Sequence, residues 1–179
     1  MLRRHAVGLV PTETVVGLVA GESGLSRLSE MKARDPRKPI ALLCGSAEDA
    51  FALAGGVPPP LALSLAERFW PGPLTLVLDA RSGGTVGVRV PAHPTVLELL
   101  ASYGGPVYAT SANLSGEEPP RALEEVSPTI SGAVDLAVEG EPGGGEASAV
   151  VDLSGSRVRL LRPTEDLGEK ELSELANQK

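Results

Sequence analysis

The strongest chemical signal in this sequence is a basic segment, KARDPRKP, at residues 32–39. The chain has a formal net charge of −7, yet four of its 16 lysine and arginine residues fall within this segment: Lys32, Arg34, Arg37 and Lys38. Arginine binds oxyanions through paired hydrogen bonds and lysine acts as a point charge, so the mixture suits a polyphosphate. Two prolines restrict the backbone between the charges, which favours a pre-ordered site. The simpler alternative is that the charges compensate the dipole at the end of a preceding helix.

A second polar cluster, ATSANLSG at residues 109–116, follows an apolar run that predicts a strand. It places hydroxyl and amide side chains close together in the sequence: Thr110, Ser111, Asn113 and Ser115. Such side chains at the end of a strand can hold the oxygens of a ligand, together with backbone N–H groups. An ordinary turn is the alternative, because Asn and Ser are common turn residues.

Arg89 is unusual because it stands inside an otherwise apolar strand pattern, VGVRVP. A buried or half-buried arginine needs an anionic partner, which is either a ligand or one of the 23 acidic residues of the chain. A further polar stretch, PTET at residues 11–14, follows the first predicted strand. Ser148 and Arg162 lie near the edges of late strands and indicate nothing by themselves.

Composition and charge exclude several classes of protein. The negative net charge argues against broad electrostatic binding to nucleic acid or to an anionic membrane, and no apolar run is long enough to predict a transmembrane helix. The single cysteine, Cys44, excludes a disulfide framework within the chain and a multi-cysteine zinc site, and it predicts a cytoplasmic location. It lies in an apolar run and is predicted to be a core residue. His93, flanked by prolines, is predicted to be a turn residue.

The elements that must position these residues follow from hydrophobic periodicity. Strands are predicted at HAVGLVP, PIALLCG, LTLVLDA, TVGVRVP, PVYAT, VDLAVEG, SAVVDL and RVRLLRP. Helices are predicted at SGLSRLSEMKA, at 46–54, and at PPPLALSLAERFW, PTVLELLASYG, RALEEVSPTI and the tail from Thr164. Two hairpins, 74–79 with 86–90 and 149–153 with 158–161, predict a mixed parallel and antiparallel sheet covered by helices, of α/β (α+β) class.

The domain organisation is predicted to be simple. Residues 1–163 form one domain, and residues 164–179 form a helical tail that belongs to it. The only shift in composition is the glycine-rich stretch EGEPGGGEAS at 139–148. It precedes a strand and therefore is not a P-loop, so it is predicted to be a mobile loop.

Seven motifs in their order give the chain a resemblance to a known family. They are PTETVVGL, KARDPRKP, FWPGPLTLVL, VRVPAHP, TSANLSG, SAVVDL and LRP, between about Val7 and Pro163. Together they resemble the Sua5/YciO/YrdC family, and the length suggests its single-domain, YrdC-like members. The resemblance implies an open, twisted sheet with a large concave cavity. It also implies a nucleotidyltransferase reaction in which L-threonine, bicarbonate and ATP give L-threonylcarbamoyladenylate and pyrophosphate.

The resemblance assigns roles to the candidate residues. Lys32 and Arg34 match the catalytic K-x-R motif of the family. The residues implied to bind ATP are Lys32, Arg34, Lys38, Asn113 and Arg162. The residues implied to bind threonine are Thr14, Arg89, Ser111 and Ser148, with Arg89 on its carboxylate. Mg²⁺ is expected to enter with ATP and to have few protein ligands.

The resemblance also implies a partner that receives the product, and it leaves two alternative functions open. The product is expected to pass to a tRNA threonylcarbamoyl transferase complex that modifies adenosine 37, and direct binding of tRNA by this chain is expected to be weak. An RNA-binding module is one alternative, although duplex RNA needs an extended basic stripe rather than one cluster. A YciO-like paralogue with weak or different activity is the other, because Val16 stands where the family usually has Tyr.

Overall fold

The computed structural model describes residues 5–32, 40–141 and 143–177. Nine strands lie within these ranges: β1 (Val7–Val10), β2 (Gly17–Ala20), β3 (Ala41–Leu43), β4 (Leu74–Asp79), β5 (Thr85–Arg89), β6 (Val107–Ser111), β7 (Leu136–Ala137), β8 (Ala149–Asp152) and β9 (Arg159–Arg162). They form a single sheet in the order β7-β1-β2-β6-β3-β5-β4-β8-β9.

The predicted mixture of parallel and antiparallel pairing is confirmed. Strands β1 and β7, β3 and β5, and β4 and β8 pair in parallel, and the remaining neighbours are antiparallel. Both predicted hairpins are present, with Leu76 opposite Val88 and Val151 opposite Leu160. The fold is an α/β fold with an open mixed sheet, as the sequence predicted.

Six helices lie within the described ranges, and sequence signals indicated the starts of the second and third and the end of the fourth. They are α1 (Leu25–Met31), α2 (Ala47–Ala52), α3 (Pro60–Phe69), α4 (Pro94–Tyr103), α5 (Pro128–Ser131) and α6 (Glu169–Asn177). The first and the last are shorter than predicted, because they begin at Leu25 rather than Ser23 and at Glu169 rather than Thr164. The Ser46 hydroxyl accepts a hydrogen bond from the Asp49 N–H at 3.1 Å and so caps α2. Gly104 ends α4 with a φ of 82°, a conformation that favours glycine. Among the residues with described positions, no helix combines the length and the apolar character needed to cross a bilayer.

Three local predictions were wrong or incomplete. Strand β2 was missed, because its residues GLVA are buried on both faces and show no alternation. The helix predicted at RALEEVSPTI is instead a 3₁₀ turn (Leu123–Glu125) followed by α5. Pro128 explains the break, since a residue before proline is held extended, as Ser127 is with ψ 144°. The strand predicted at VDLAVEG is reduced to the two residues of β7.

The central strands separate a closed face from an open one. Successive strand residues point to opposite faces, and one set packs in the main hydrophobic cluster beneath α2, α3 and α6: Leu42, Leu74, Leu76, Leu78, Val88, Val90, Ala149 and Val151. The tail helix α6 contributes Leu172 and Leu175 to this cluster. The intervening residues face the other side, where they line a cavity.

Asp152 anchors the hairpin of β8 and β9 at one edge of the sheet. It is 3% exposed, and its Oδ1 accepts hydrogen bonds from the Ser154 N–H at 2.9 Å and the Ser154 hydroxyl at 2.6 Å. Its Oδ2 pairs with Arg159. Burial raises the pKa of this carboxyl, but the Ser154 hydrogen bonds and the Arg159 charge outweigh burial and hold the pKa below its ordinary value of 3.8.

We expect Asp152→Ala to lower the free energy of unfolding by about 1–3 kcal/mol at neutral pH, because it leaves the Ser154 and Arg159 donors unpaired. Since the pKa of Asp152 is lowered in the folded state, its contribution is complete above the ordinary value of 3.8 and is lost as the pH falls below it. Urea unfolding at pH 7 and pH 3 measures both effects. The exposed Asp166 is the control, and Asp166→Ala should change stability by less than about 0.5 kcal/mol. Equal effects of the two substitutions would contradict the anchoring role.

Candidate active site

A cavity of about 410 Å³ lies on the open face of the sheet. Its floor consists of small or medium residues from alternate positions of the central strands: Gly17, Ala41, Thr75, Val77, Gly87, Ala109 and Val150. The neighbouring residues of the central strands fill the core on the opposite face, and the lack of bulk at the floor positions leaves a hollow on this one. Helix α4 covers the adjoining part of this face, where it packs on Val19, Leu43 and Val107. A volume of this size suits a small molecule.

The predicted site residues converge on this cavity from five separate segments. Those that line it are Thr14, Arg89, Ser111, Ser148 and Arg162. Lys32 and Asn113 are not lining residues but contact Ser111. Arg34 and Lys38 lie outside the described residues, so their predicted contacts with phosphate remain predictions.

The guanidinium of Arg89 is held in the cavity by three hydrogen bonds. Arg89 is 7% exposed, its Nε donates to the Gly72 carbonyl at 3.1 Å, and its Nη2 donates to Glu13 Oε1 at 2.6 Å and Thr14 Oγ1 at 3.1 Å. Sequence left open whether its anionic partner was a ligand or an acidic side chain. The structure supplies an acidic partner, Glu13, and leaves Nη1 without a hydrogen-bond partner among the described residues, so a ligand anion can still bind there.

Glu13 was missed at the sequence level, although it is part of the PTET motif. Burial raises the pKa of its carboxyl, but the charge of Arg89 and the hydrogen bond from the Ala92 N–H to Oε1, at 3.0 Å, prevail and lower the pKa. Glu13 is therefore ionised at neutral pH. Its other oxygen, Oε2, is buried and has no donor among the described residues.

The hydroxyl of Thr14 has a defined hydrogen-bond direction. Thr12 Oγ1 donates its single proton to the Val15 carbonyl at 2.7 Å, so the 2.8 Å contact between the two hydroxyls is donated by Thr14. Thr14 Oγ1 also accepts from Arg89. Its remaining capacity is that of an acceptor, so the ligand group that it contacts in the cavity must be a donor, such as an amine or a hydroxyl.

Ser148 is held against the floor of the cavity and at the end of the glycine-rich loop. Its hydroxyl lies 3.0 Å from Thr75 Oγ1, a second residue that sequence reasoning missed. The loop itself is attached to the PTET segment, because the Gly144 N–H donates to the Glu13 carbonyl at 3.0 Å and the Gly145 N–H to the Thr14 carbonyl at 2.7 Å. The predicted mobility of this loop is untested, but it forms a wall of the site.

Lys32 joins the end of α1 to the polar loop after β6. Its ammonium is 2.5 Å from the Ser111 carbonyl and 3.2 Å from both Ser111 Oγ and Asn113 Oδ1. The Lys32 carbonyl in turn accepts from the Ser115 hydroxyl at 3.1 Å. The structure thus brings Lys32, the first residue of the basic segment, to the TSANLSG motif.

Arg162 brings a second positive charge to the cavity from β9. Although much of the residue is exposed, desolvation by the cavity walls lowers the pKa of its guanidinium, and the charge of Arg89 lowers it further. None of the ion pairs between described residues includes Arg162. Two arginines that repel each other in one hollow of an acidic chain indicate an anionic ligand.

The carboxylates of the site do not form a metal centre. Across the described ranges, no three His, Cys, Asp or Glu side chains are grouped so that they could hold an ion. Entry of Mg²⁺ with a nucleotide, whose phosphates and waters would supply most of its ligands, therefore stays a prediction.

Comparison with known proteins identifies the same family that the sequence motifs indicated. The model of the Sua5/YciO/YrdC family, which carries the description "telomere recombination", matches residues 1–164. The chain belongs to this family. A threonylcarbamoyl-AMP synthase of Pyrococcus abyssi is 39% identical over 175 residues, which cover 90% of this chain and 51% of the relative. The synthase of Bacillus subtilis is 34% identical over 177 residues, which cover 91% and 51%.

A solved structure of this family also resembles the fold closely. The crystal structure of Pyrococcus abyssi Sua5 complexed with L-threonine superposes with a TM-score of 0.88 at 34% identity, over 98% of this chain and 55% of that one. The chain thus spans about half the length of these relatives. The comparisons establish the family and the fold of this protein.

We expect Gly143→Ala to destabilise the wall of the site. A Cβ at this position would lie 2.4 Å from the Thr14 carbonyl oxygen and 2.5 Å from that of Thr12, so the loop must move away. The cost should be about 1–3 kcal/mol in the free energy of unfolding, measured by urea denaturation. Gly144→Ala is the matched control, since its nearest contact would be 3.4 Å. A stability of Gly143→Ala equal to that of the control would contradict this account of the loop.

Proposed function

We propose that this chain forms L-threonylcarbamoyladenylate from L-threonine, bicarbonate and ATP, with release of pyrophosphate. The observation that carries the proposal is the convergence on one cavity of Arg89, Arg162, Thr14 and Ser148, with Lys32 bound to its rim. The names of the relatives support the same activity.

The amino-acid substrate fits the side of the cavity that Arg89 and Thr14 form. The open Nη1 of Arg89 offers N–H donors to a carboxylate, and the acceptor capacity of Thr14 suits an amine or hydroxyl donor. Ser148 lies on the same wall, next to Thr75. A ligand with a carboxylate and a neighbouring donor group, as in L-threonine, satisfies both residues together.

We assign the nucleotide to Lys32 and Asn113, next to β6, and to Arg162 on β9. We propose that Lys32, Arg34 and Lys38 bind the phosphates of ATP, and that Asn113 and Arg162 complete the nucleotide site. Mg²⁺ enters as the Mg–ATP complex. Lys32 now contacts Ser111 and Asn113, so the phosphate site and the amino-acid site share the loop after β6.

The chemistry requires positioning rather than a protein nucleophile. The amine of threonine and bicarbonate give a carbamate with loss of water, and a carbamate oxygen attacks the α-phosphorus of ATP while pyrophosphate leaves. The cations of the site neutralise the crowded anions and align them for attack. Burial, with a smaller effect of Asp49, raises the pKa of the Cys44 thiol to about 12, so Cys44 is not the nucleophile.

The product is a mixed anhydride suited to a second acyl-transfer step. We propose that it passes to a tRNA threonylcarbamoyl transferase complex in the cytoplasm. The cationic residues of the cavity form a local cluster in a chain of net charge −7, so direct binding of tRNA by this chain should be weak.

The purified chain should release pyrophosphate from ATP in the presence of bicarbonate and Mg²⁺, and release should depend on threonine and be weaker with serine. Lys32→Ala and Arg162→Ala should raise the KM for ATP by about tenfold or more, because each removes a charge from the phosphate site. Arg157→Ala is the control, since Arg157 is exposed and is not among the cavity-lining residues. A coupled pyrophosphate assay measures both effects. Absence of threonine-dependent release would favour a YciO-like paralogue with another activity.

A further inference from the structure

Glu13 connects three segments of the site. Its Oε1 accepts from Arg89 Nη2 on β5 at 2.6 Å and from the Ala92 N–H before α4 at 3.0 Å. Its backbone carbonyl accepts from Gly144 of the glycine-rich loop at 3.0 Å. None of the family motifs used above assigns it a role, and Glu13 does not line the cavity itself.

We propose that Glu13 is the residue that positions Arg89 for the carboxylate of the amino-acid substrate. The inference rests on the proposed function, because it concerns the same binding step. Glu13 acts only through Arg89, so it is a positioning residue and not a catalytic one.

The donors of Arg89 show how this positioning works. The Gly72 carbonyl accepts a hydrogen bond from Nε, and the side chains of Glu13 and Thr14 each accept one from Nη2. These three bonds fix the plane of the guanidinium, which leaves Nη1 as the group available to a ligand. Without Glu13, Arg89 would lose its shortest hydrogen bond, which holds Nη2 in place.

Substitutions of Glu13 can separate the effect of its hydrogen bonds from the effect of its charge, because the two carboxylate oxygens differ. Oε1 accepts the hydrogen bonds from Arg89 and from the Ala92 N–H, whereas Oε2 has no donor among the described residues. Glu13→Gln can keep the oxygen at the Oε1 position and replace only Oε2 by an amide nitrogen. Glu13→Ala removes both hydrogen bonds, and Glu13→Asp keeps the charge but shortens the reach by one methylene.

The test compares KM values for threonine and for ATP in the pyrophosphate assay. We expect Glu13→Ala and Glu13→Asp to raise the KM for threonine by about tenfold to a hundredfold, since misplacing one group by about 1 Å costs this much. Glu13→Gln should raise it by less than about threefold, because its amide oxygen still orients Arg89. The KM for ATP should change by less than about twofold in all three variants, since Arg89 is assigned to the amino acid.

A matched control is available at the surface. Glu171 pairs with Arg68 between α6 and α3, away from the cavity-lining residues, and Glu171→Ala should leave both KM values unchanged. A KM for threonine that is unchanged in Glu13→Ala and Glu13→Asp would overturn the proposal. Equal defects in Glu13→Gln and Glu13→Ala would also overturn it, as would an equal rise in the KM for both substrates.

Failure of the proposed function is distinguishable from failure of this inference. The first appears as absence of threonine-dependent pyrophosphate release in the wild type. In that case calorimetric titration with threonine still tests Glu13. Binding by the wild type and Glu13→Gln, and its loss in Glu13→Asp, supports the positioning role. Absence of binding by the wild type, or equal binding by all variants, overturns it.

Discussion

The central strands of the sheet must pack a hydrophobic core on one face and line a cavity on the other, and the position of every site residue depends on this. One set of alternate residues is large and apolar and packs beneath α2, α3 and α6. The other set is small or polar over the cavity, with glycine, alanine, threonine or serine at most positions. Beside the cavity it includes Val19, Leu43 and Val107, which pack against α4. Alternation with period two therefore produces a stable core and an open cavity from the same strands.

Charge inside this cavity is arranged around one ion pair. Arg89 and Arg162 lie close enough to lower the pKa of Arg162, in a hollow whose walls also remove water. Glu13 offsets part of this charge and orients Arg89 while leaving Nη1 available. An isolated arginine in such a place would be unfavourable, and a fully paired one would have no donor left for a ligand. The observed Arg89 is paired with Glu13 through Nη2 and keeps Nη1 for a ligand, so it avoids both disadvantages.

Hydrogen bonds between loops transmit this arrangement through the site. The PTET segment is joined to the glycine-rich loop through two backbone bonds and to β5 through Glu13. Lys32 joins α1 to the loop after β6 in the same way. The PTET segment, the glycine-rich loop and β5 thus fix one another at the cavity. A substrate that contacts two walls meets a geometry that is already formed, which is what catalysis by positioning requires.

The amino-acid sequence by itself determined most of the local elements and the residue types of the site. Start and stop signals indicated α2, α3 and α4, turn residues indicated the two hairpins, and the order of seven short motifs indicated the family. Only the tertiary structure decided that Glu13 pairs with Arg89, 76 positions away, and that the Lys32 ammonium contacts Ser111, 79 positions away. Periodicity reports which way a residue faces but not which strand lies beside it. The order of strands, including the missed β2, arises from packing of the whole chain, and it alone brings the separate polar loops to one cavity.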